Sequence, residues 1–337
     1  MSLPVIAVDA MGGDFGPRCI VPACISFLKS HPAVKLVLVG EVGLIRPCLD
    51  SYRFDSSRLH VQTASQVVGM AEKPSRALRG KSDSSMKVAL DLVAGGQADA
   101  CVSAGNTGAL MAFARQTLRM LPGIERPAMY TLLPVSNGQC VLLDLGANLD
   151  CTAQHLYQFA HLGAAVAAAH GVVAPRVCLL NVGTEDVKGV LAVQQAAELL
   201  KASTINYAGF VEGDGVFRGE ADVVVCDGFV GNVLLKSSEG LITMLLRELE
   251  AGRLGSNFFR MLAQPLLSQL KDEVRPDKRN GAGFLGLHGV VVKSHGNADG
   301  AGFQSALARA VTAVENDLMG RMAQQLISLQ GGSAHQV

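Results

Sequence analysis

Residues 5–16 read VIAVDAMGGDFG, an apolar run that leads directly into a polar turn rich in glycine. The same arrangement recurs at residues 36–43 (LVLVGEVG), 100–109 (ACVSAGNTGA), 142–150 (LLDLGANLD), 177–189 (VCLLNVGTEDVKG), 223–232 (VVVCDGFVGN) and 289–300 (GVVVKSHGNADG). Runs of Val, Ile and Leu without polar alternation are typical of strands buried on both faces of a parallel sheet. Helical stretches separate these strands, for example at residues 110–119, 153–169, 190–201 and 301–318. The sequence therefore predicts an α/β fold, with helices on both faces of a mostly parallel sheet.

The polar turns after these strands are expected to lie together. In an open parallel sheet, ligands bind beyond the carboxyl ends of the strands, so the turns would share one edge. The small polar and charged residues expected there are Asp9, Asp14, Ser103, Asn106, Thr107, Asp144, Asn148, Asn181, Thr184, Glu185, Asp227, Asn232, Lys293 and His295. Such a set indicates a ligand site rather than a series of ordinary connections.

The composition argues against several classes of function. Lys plus Arg and Asp plus Glu both total 29 in 337 residues, and Trp is absent, so we expect no nucleic-acid surface. The eight Cys form no C-x-x-C pair, which argues against a disulfide framework or a metal site. The N-terminus lacks the features of a signal peptide. We expect a cytoplasmic chain with one catalytic domain over residues 1–337.

The sharpest motif is SAGNTG at residues 103–108, which follows an apolar strand and opens a predicted helix. The first turn of a helix offers free N–H groups and the positive end of the dipole, and glycines let the backbone approach a ligand. We predict that phosphate binds here through Ser103, Gly105, Asn106, Thr107 and Gly108. The alternative is an ordinary turn in which Asn106 or Thr107 caps the helix.

A second glycine-rich turn, GGDFGP, occupies residues 12–17. We assign Gly12 and Gly13, with the acids Asp9 and Asp14, to the support of the active site. The alternative is simple turn geometry with capping carboxylates. The same supporting role is predicted for Asp144, Asn148, Asn181, Thr184 and Glu185.

Candidate catalytic groups are Lys293 and His295 in VVVKSHG, together with Asp227 and Asn232 in CDGFVGN. Histidine is the usual proton shuttle near neutral pH, although a histidine at a strand end can also be purely structural. Residues 281–286 (GAGFLG) match the dinucleotide spacing G-x-G-x-x-G. A strand rather than a helix is predicted to follow them, so we reject a nicotinamide site there.

Residues 71–87 (AEKPSRALRGKSDSSMK) form the most basic window of the chain. Arg76, Arg79 and Lys81 in this window could receive an acidic partner protein or a phosphate, and the alternative is a solvated helix face.

Residues 233–270 are predicted to form an inserted helical hairpin with its tip near residues 252–260. At the tip, Leu254, Phe258 and Phe259 lie between Arg253 and Arg260, a pattern of apolar residues and cations that is typical of interfacial membrane contact. The alternative is helix packing or a dimer contact. Neither helix is expected to span a bilayer.

Taken in order, these motifs resemble the bacterial phosphate acyltransferase family of phospholipid synthesis. The resemblance covers nearly the whole chain, and its most specific pieces are IAVDAMGGDFGP, EKPSRALRGKSDSSM, VSAGNTGAL, LLDLGAN, LLNVGTEDVKG, FVEGDGVFRGEADVVVCDGFVGNVLLK and GVVVKSHG. Residues 279–286 (RNGAGFLG) depart from the family pattern YGGAPLLG, so Asn280 and Phe284 are assigned no role.

The resemblance implies a Rossmann-like, doubly wound fold similar to phosphotransacetylases and to isocitrate and isopropylmalate dehydrogenases. It implies transfer of a fatty acyl group from acyl-acyl-carrier-protein to inorganic phosphate, giving acyl phosphate, by a homodimer without metal or nicotinamide cofactor. The implied surroundings are the anionic inner face of the cell membrane and a membrane-bound glycerol-3-phosphate acyltransferase. The alternatives are a nicotinamide-dependent decarboxylating dehydrogenase and a non-catalytic scaffold for carrier protein and membrane.

Overall fold

The structure, a computed structural model, describes residues 3–250 and 280–332. Its strands are β1 (Val5–Asp9), β2 (Lys35–Gly40), β3 (Leu59–Thr63), β4 (Ala100–Ser103), β5 (Ala128–Val135), β6 (Gly138–Leu143), β7 (Val177–Leu180), β8 (Tyr207–Val211), β9 (Val223–Val225), β10 (Ala282–Leu285) and β11 (Val290–Lys293). Its helices are α1 (Pro17–Ser30), α2 (Val42–Asp50), α3 (Pro74–Gly80), α4 (Ser85–Ala94), α5 (Thr107–Leu118), α6 (Ala153–Ala169), α7 (Leu191–Lys201), α8 (Gly213–Arg218), α9 (Gly228–Glu250), α10 (Gly300–Glu315) and α11 (Leu318–Gly332).

These strands form one sheet in the order β3-β2-β1-β4-β11-β10-β5-β6-β9-β7-β8. Seven of its ten neighbouring pairs are parallel, and the antiparallel ones are β11–β10, β10–β5 and β5–β6. Every strand predicted from an apolar run is present. The prediction of a mostly parallel α/β fold is therefore confirmed.

Helices cover both faces of the sheet, which explains the absence of polar alternation in the strands. In β1, Ile6 and Val8 belong to one hydrophobic core and Ala7 to the other. The first core is closed by α1, α2, α6, α7, α10 and α11, and the second by α3, α4, α5 and α8. On the first face, α6 lies so close to the sheet that a Cβ on Gly163 would meet Val223 Cγ1 at 2.5 Å.

The prediction that all polar turns share one edge is wrong. Strands β5 and β6 form a tight hairpin, with Val135 opposite Gly138, so β6 runs against β5. Strands β9, β7 and β8 then follow the direction of β6. The carboxyl ends of β1, β4 and β11 therefore lie at one edge of the sheet, and those of β6, β7 and β9 point to the opposite edge.

The predicted helix at residues 301–318 corresponds to α10, which ends at Glu315, and a further helix, α11, follows it from Leu318. Asp317 lies between them with a left-handed φ of 49°, and its carboxylate accepts a hydrogen bond from the N–H of Gly320 at 3.2 Å. An acid that caps the following helix thus breaks an otherwise continuous apolar pattern.

Candidate active site

A cavity of about 310 Å³ lies near the middle of the sheet, where its two oppositely directed parts meet. Its wall includes β5, β10, the first half of α9 and the turns that follow β4 and β11. Of the predicted site residues, Thr107, Asn232, Lys293 and His295 line it. Lys236, Ser238 and Glu239 of α9 also line it, and the sequence analysis assigned them no role.

Lys293 is a buried cation in the wall of this cavity. It ends β11 beside Ser103 of β4, and its ammonium donates to the carbonyl oxygens of Ala104, at 3.3 Å, and Ser294. Only 7% of the residue is exposed. Burial lowers the pKa of Lys293 to about 8, against the opposing charges of Asp9 and Asp14. Lys293 is therefore a cation at neutral pH that can also release a proton near it.

Asp9 is a buried carboxyl group beneath the turns. Its carboxylate accepts hydrogen bonds from the hydroxyls of Ser85 and Ser103, both at 2.6 Å, and from the N–H of Met11 at 3.3 Å. Burial raises the pKa of Asp9, while these bonds and the charge of Lys293 oppose the rise. The Asp9 carboxyl group thus links β4 to α4 through Ser103 and Ser85, and its charge opposes that of Lys293.

The SAGNTG turn is bound largely to the protein itself. Asn106 caps α5 by accepting from the N–H of Ala109 at 3.0 Å, and its amide donates to the carbonyls of Met70 and Glu72 at 2.7 and 3.0 Å. Ser103 accepts from the N–H of Gly105 at 3.0 Å in addition to binding Asp9. The capping alternative therefore describes Asn106. Thr107 is the member of this turn with a place in the cavity wall.

Several glycines serve close packing between turns. A Cβ on Gly12 would meet the nitrogen of Gly105 at 2.7 Å, and one on Gly108 would meet Pro74 Cγ at 2.9 Å. Gly13 has a φ of +80°, and a Cβ there would meet the carbonyl oxygen of Gly296 at 2.8 Å. These glycines bring the turns after β1, β4 and β11 together.

Asn280 is a positioning residue that the sequence analysis passed over. It is buried, donates to the hydroxyl of Ser294 at 2.7 Å and accepts from the N–H of His295 at 2.9 Å. It thereby holds the turn that carries Lys293 and His295. The available signal was an asparagine two residues before a strand that pairs with β11. Phe284, the other residue left without a role, is a core residue of β10.

His295 is half-exposed at the cavity, with Nε2 4.0 Å from Glu239 Oε1. Burial is the largest cause that lowers its pKa, Lys236 adds to the fall, and Glu239 opposes it. His295 is therefore mainly neutral at neutral pH and can accept or relay a proton.

The predicted residues that follow β6 and β9 have structural partners. Asp144 is buried and accepts from the N–H groups of Met129 and Asn148 at 2.9 and 2.7 Å. The Asn148 amide donates to Asp144 and to the carbonyl of Pro127. Asp227 caps α9 by accepting from the N–H of Val230 at 2.8 Å. These residues hold the loops beside the cavity, and Asn232 extends from α9 into its wall.

The turn after β7 lies apart from the cavity. Asn181 donates to the carbonyl of Lys188 at 3.1 Å, and Glu185 pairs with Lys188 at 2.8 Å. Thr184 and Glu185 are exposed, and none of the three predicted residues of this turn lines the cavity described here. Strand β7 is the second strand from the end of the sheet order, away from β5 and β10, and a supporting role for these three residues stays a prediction.

The three cations of the basic window differ in their contacts. Arg76 and Arg79 are exposed on α3, which packs against α5. Lys81 instead donates to the carbonyl of Val67 at 2.5 Å and lies 3.6 Å from the carboxylate of Glu72. Lys81 thus stabilises the loop before α3, and Arg76 and Arg79 form the accessible part of the cluster.

Helix α9 is the first arm of the predicted hairpin and begins earlier than expected, at Gly228. The second arm and the tip residues Arg253, Leu254, Phe258, Phe259 and Arg260 lie outside the described residues. By length and composition alone, residues 228–248 are apolar enough to cross a bilayer, contrary to the sequence-based expectation. In this structure, however, α9 lines the cavity through Leu235 and Ile242.

Residues 5–321 match the family described as fatty acid synthesis protein. The chain belongs to this family. The phosphate acyltransferase of Pseudomonas aeruginosa (strain PAO1) is 57% identical over 327 residues, which are 96% of this chain and 97% of that protein. The chain is therefore an acyltransferase of lipid biosynthesis, as the resemblance implied. Family membership favours this activity over the dehydrogenase and scaffold alternatives.

Solved structures confirm the fold. A phosphotransacetylase from Streptococcus pyogenes superposes with a TM-score of 0.63 at 17% identity, covering 93% of this chain and 94% of that one. A 4-hydroxythreonine-4-phosphate dehydrogenase from Klebsiella pneumoniae gives 0.55 at 14% identity, covering 93% and 98%. These likenesses show the architecture that the resemblance implied, shared by transacylases and dehydrogenases.

Proposed function

We propose that this chain transfers a fatty acyl group from the thioester of acyl-acyl-carrier-protein to inorganic phosphate. The observation that carries the proposal is the buried ammonium of Lys293 in the wall of a cavity that is also lined by apolar side chains, in a chain whose relatives are phosphate acyltransferases. A phosphate oxygen attacks the thioester carbonyl carbon, and the C–S bond breaks. The thiolate takes up the proton that hydrogen phosphate loses, and the products are acyl phosphate and free carrier thiol.

Phosphate is an anion at neutral pH, so the site has to hold and align it rather than generate a nucleophile. We place phosphate between Lys293 and the first turn of α5, where Thr107 lines the cavity. The Lys293 ammonium also stabilises the negative charge that develops on the carbonyl oxygen. Because a thiol has a pKa of about 8.5, the leaving thiolate needs little help, and neutral His295 can relay a proton to it.

The exposed cations of α3 support a proposal for the carrier protein's binding surface. We propose that Arg76 and Arg79 receive the acidic carrier protein, since α3 lies against the helix that carries Thr107.

We further propose a homodimer of single-domain chains in the cytoplasm. It is held reversibly at the inner membrane face, beside the glycerol-3-phosphate acyltransferase that uses the acyl phosphate. The proposed anchor is the tip around Leu254 and Phe258. Glu at both positions should release the protein from anionic vesicles, and retained co-sedimentation would refute the anchor.

The decisive experiment is an acyl-transfer assay with purified protein and acyl-acyl-carrier-protein, with and without phosphate. We expect free thiol to appear in a phosphate-dependent manner and acyl phosphate to be trapped in equal amount by hydroxylamine. Thiol release that does not depend on phosphate, or that yields free fatty acid without a trappable intermediate, would refute the proposed reaction.

A further inference from the structure

The cavity continues beyond Lys293 along β5. Lys293 lies opposite Ala282 of β10, and Gly283 lies opposite Tyr130 of β5. Thr131 is therefore two strands from Lys293, about 10 Å away at the usual strand spacing. Met129, Thr131, Leu132, Leu133 and Pro134 of β5 all line the cavity.

The wall combines polar and apolar side chains. Its polar groups include Lys293, His295 and Glu239, whereas β5 contributes Leu132, Leu133 and Pro134 beside Thr131, and α9 contributes Leu235 and Ile242. Leu133 is buried in the second hydrophobic core, and Leu235 packs against that core. An apolar extension of a polar site suits a substrate whose reacting group is polar and whose remainder is hydrocarbon.

Phe217 of α8 lines the cavity near the β5–β6 hairpin. Its carbonyl accepts from the N–H and the hydroxyl of Ser136, both at 3.1 Å, so its backbone is tied to the loop of that hairpin. Val135, the last residue of β5, lies four residues beyond Thr131, about 14 Å at the usual rise per residue. The ring is half-buried and packs against the second core.

We propose that the β5 extension of the cavity binds the acyl chain, and that Phe217 sets the longest chain the enzyme uses efficiently. The inference rests on the proposed acyl transfer. The thioester carbonyl lies at Lys293 and the chain runs over Leu133 toward the ring. Each methylene buried before the ring contributes about 0.8 kcal/mol, which is about fourfold in kcat/KM. A chain that reaches the ring gains nothing from further methylenes.

The test compares Phe217→Ala, Phe217→Trp and the matched control Phe54→Ala, which removes a phenylalanine from the loop between α2 and β3. Phosphate-dependent kcat/KM is measured for carrier proteins loaded with saturated chains of increasing length. We expect Phe217→Ala to move the optimum to longer chains and to raise the ratio of long to short substrates by roughly fourfold or more per methylene accommodated. Phe217→Trp should move it to shorter chains, and Phe54→Ala should leave it unchanged.

The outcomes separate the inference from the reaction. A wild-type enzyme that transfers acyl groups to phosphate, with one chain-length profile shared by both Phe217 variants, would overturn the chain-length assignment alone. A wild-type enzyme without phosphate-dependent transfer would overturn both. If Phe217→Ala fails to fold, Phe217→Trp decides, because an unshifted optimum in the larger variant contradicts a ring at the end of the chain.

Discussion

The turns after β4 and β7 look alike in sequence and differ in their surroundings. Both follow buried parallel strands, and both contain Asn, Thr and Gly, as SAGNTG and NVGTEDVKG. The first packs against the turns after β1 and β11 and brings Thr107 to the cavity. The second closes on itself through Asn181, Glu185 and Lys188 and lies apart from it. Position in the sheet order separates the two turns, because β4 lies two strands from β10 and β7 lies three strands from β5. Strand direction alone does not, since Asn232, which follows the reversed strand β9, also lines the cavity.

The strongest test of this contrast uses one lysine from each part of the sheet. Lys293→Met should lower kcat/KM for phosphate by roughly 10²–10³-fold, because a preorganised charge at the reacting atoms is lost. Lys188→Met, in the turn after β7, should leave the rate unchanged. Steady-state kinetics measures both variants, and thermal unfolding checks that they are folded. Wild-type activity in both would contradict the assignment of Lys293 to the active site.

A smaller effect is expected at Thr107, whose counterpart in the turn after β7 is Thr184. Thr107→Ala should raise the KM for phosphate by roughly 5–150-fold, the equivalent of about 1–3 kcal/mol for a hydrogen bond to a charged group. Thr184→Ala serves as the matched control, since that threonine is exposed in the reversed part of the sheet. An unchanged KM in Thr107→Ala would remove the α5 turn from the phosphate site.

Asn106→Ala distinguishes a cap from a ligand contact in the same turn. Loss of the cap on α5 should lower the free energy of unfolding by about 1 kcal/mol. The side chain is already committed to Ala109, Met70 and Glu72, so any effect on phosphate should follow that loss. Chemical denaturation of Asn106→Ala and Thr107→Ala measures the free energy of unfolding of each variant. An Asn106→Ala protein that keeps wild-type stability but binds phosphate weakly would show that Asn106 is a ligand contact rather than a cap.

The pH dependence of kcat/KM for phosphate should reflect the interaction between Asp9 and Lys293. Lys293 is protonated below its pKa of about 8, so kcat/KM for phosphate should fall as the pH rises through that value. Asp9→Asn removes a charge that raises the pKa of Lys293, so the fall should begin at lower pH. Asp14 contributes in the same direction, which makes Asp14→Asn a weaker companion variant. Identical alkaline limbs in wild type and Asp9→Asn would exclude Lys293 as the titrating group.

The sequence predicted each element better than the arrangement of the elements. Apolar runs identified β1, β4, β7 and β11 because strands covered on both faces carry a local signature. The direction of β6 depends on the short turn around Ser136, which sequence periodicity does not reveal. Asn280 was missed for a related reason, since its partners Ser294 and His295 are 14 and 15 residues away and meet it through strand pairing.

The smallest expected effect concerns the exposed cations of α3. Arg79 bonds the carbonyl of Ser75 at 3.1 Å yet remains exposed, so its contribution to carrier binding is limited to a screened surface interaction of about 0.2–1 kcal/mol. Arg79→Glu should therefore raise the KM for acyl-acyl-carrier-protein by about two- to fivefold and reduce its salt dependence, with kcat unchanged. The control is Lys201→Glu on α7, in the reversed part of the sheet. Equal effects of both substitutions would indicate a general charge effect, and a rise in the KM for phosphate alone in Arg79→Glu would move the arginine from the carrier surface to the active site.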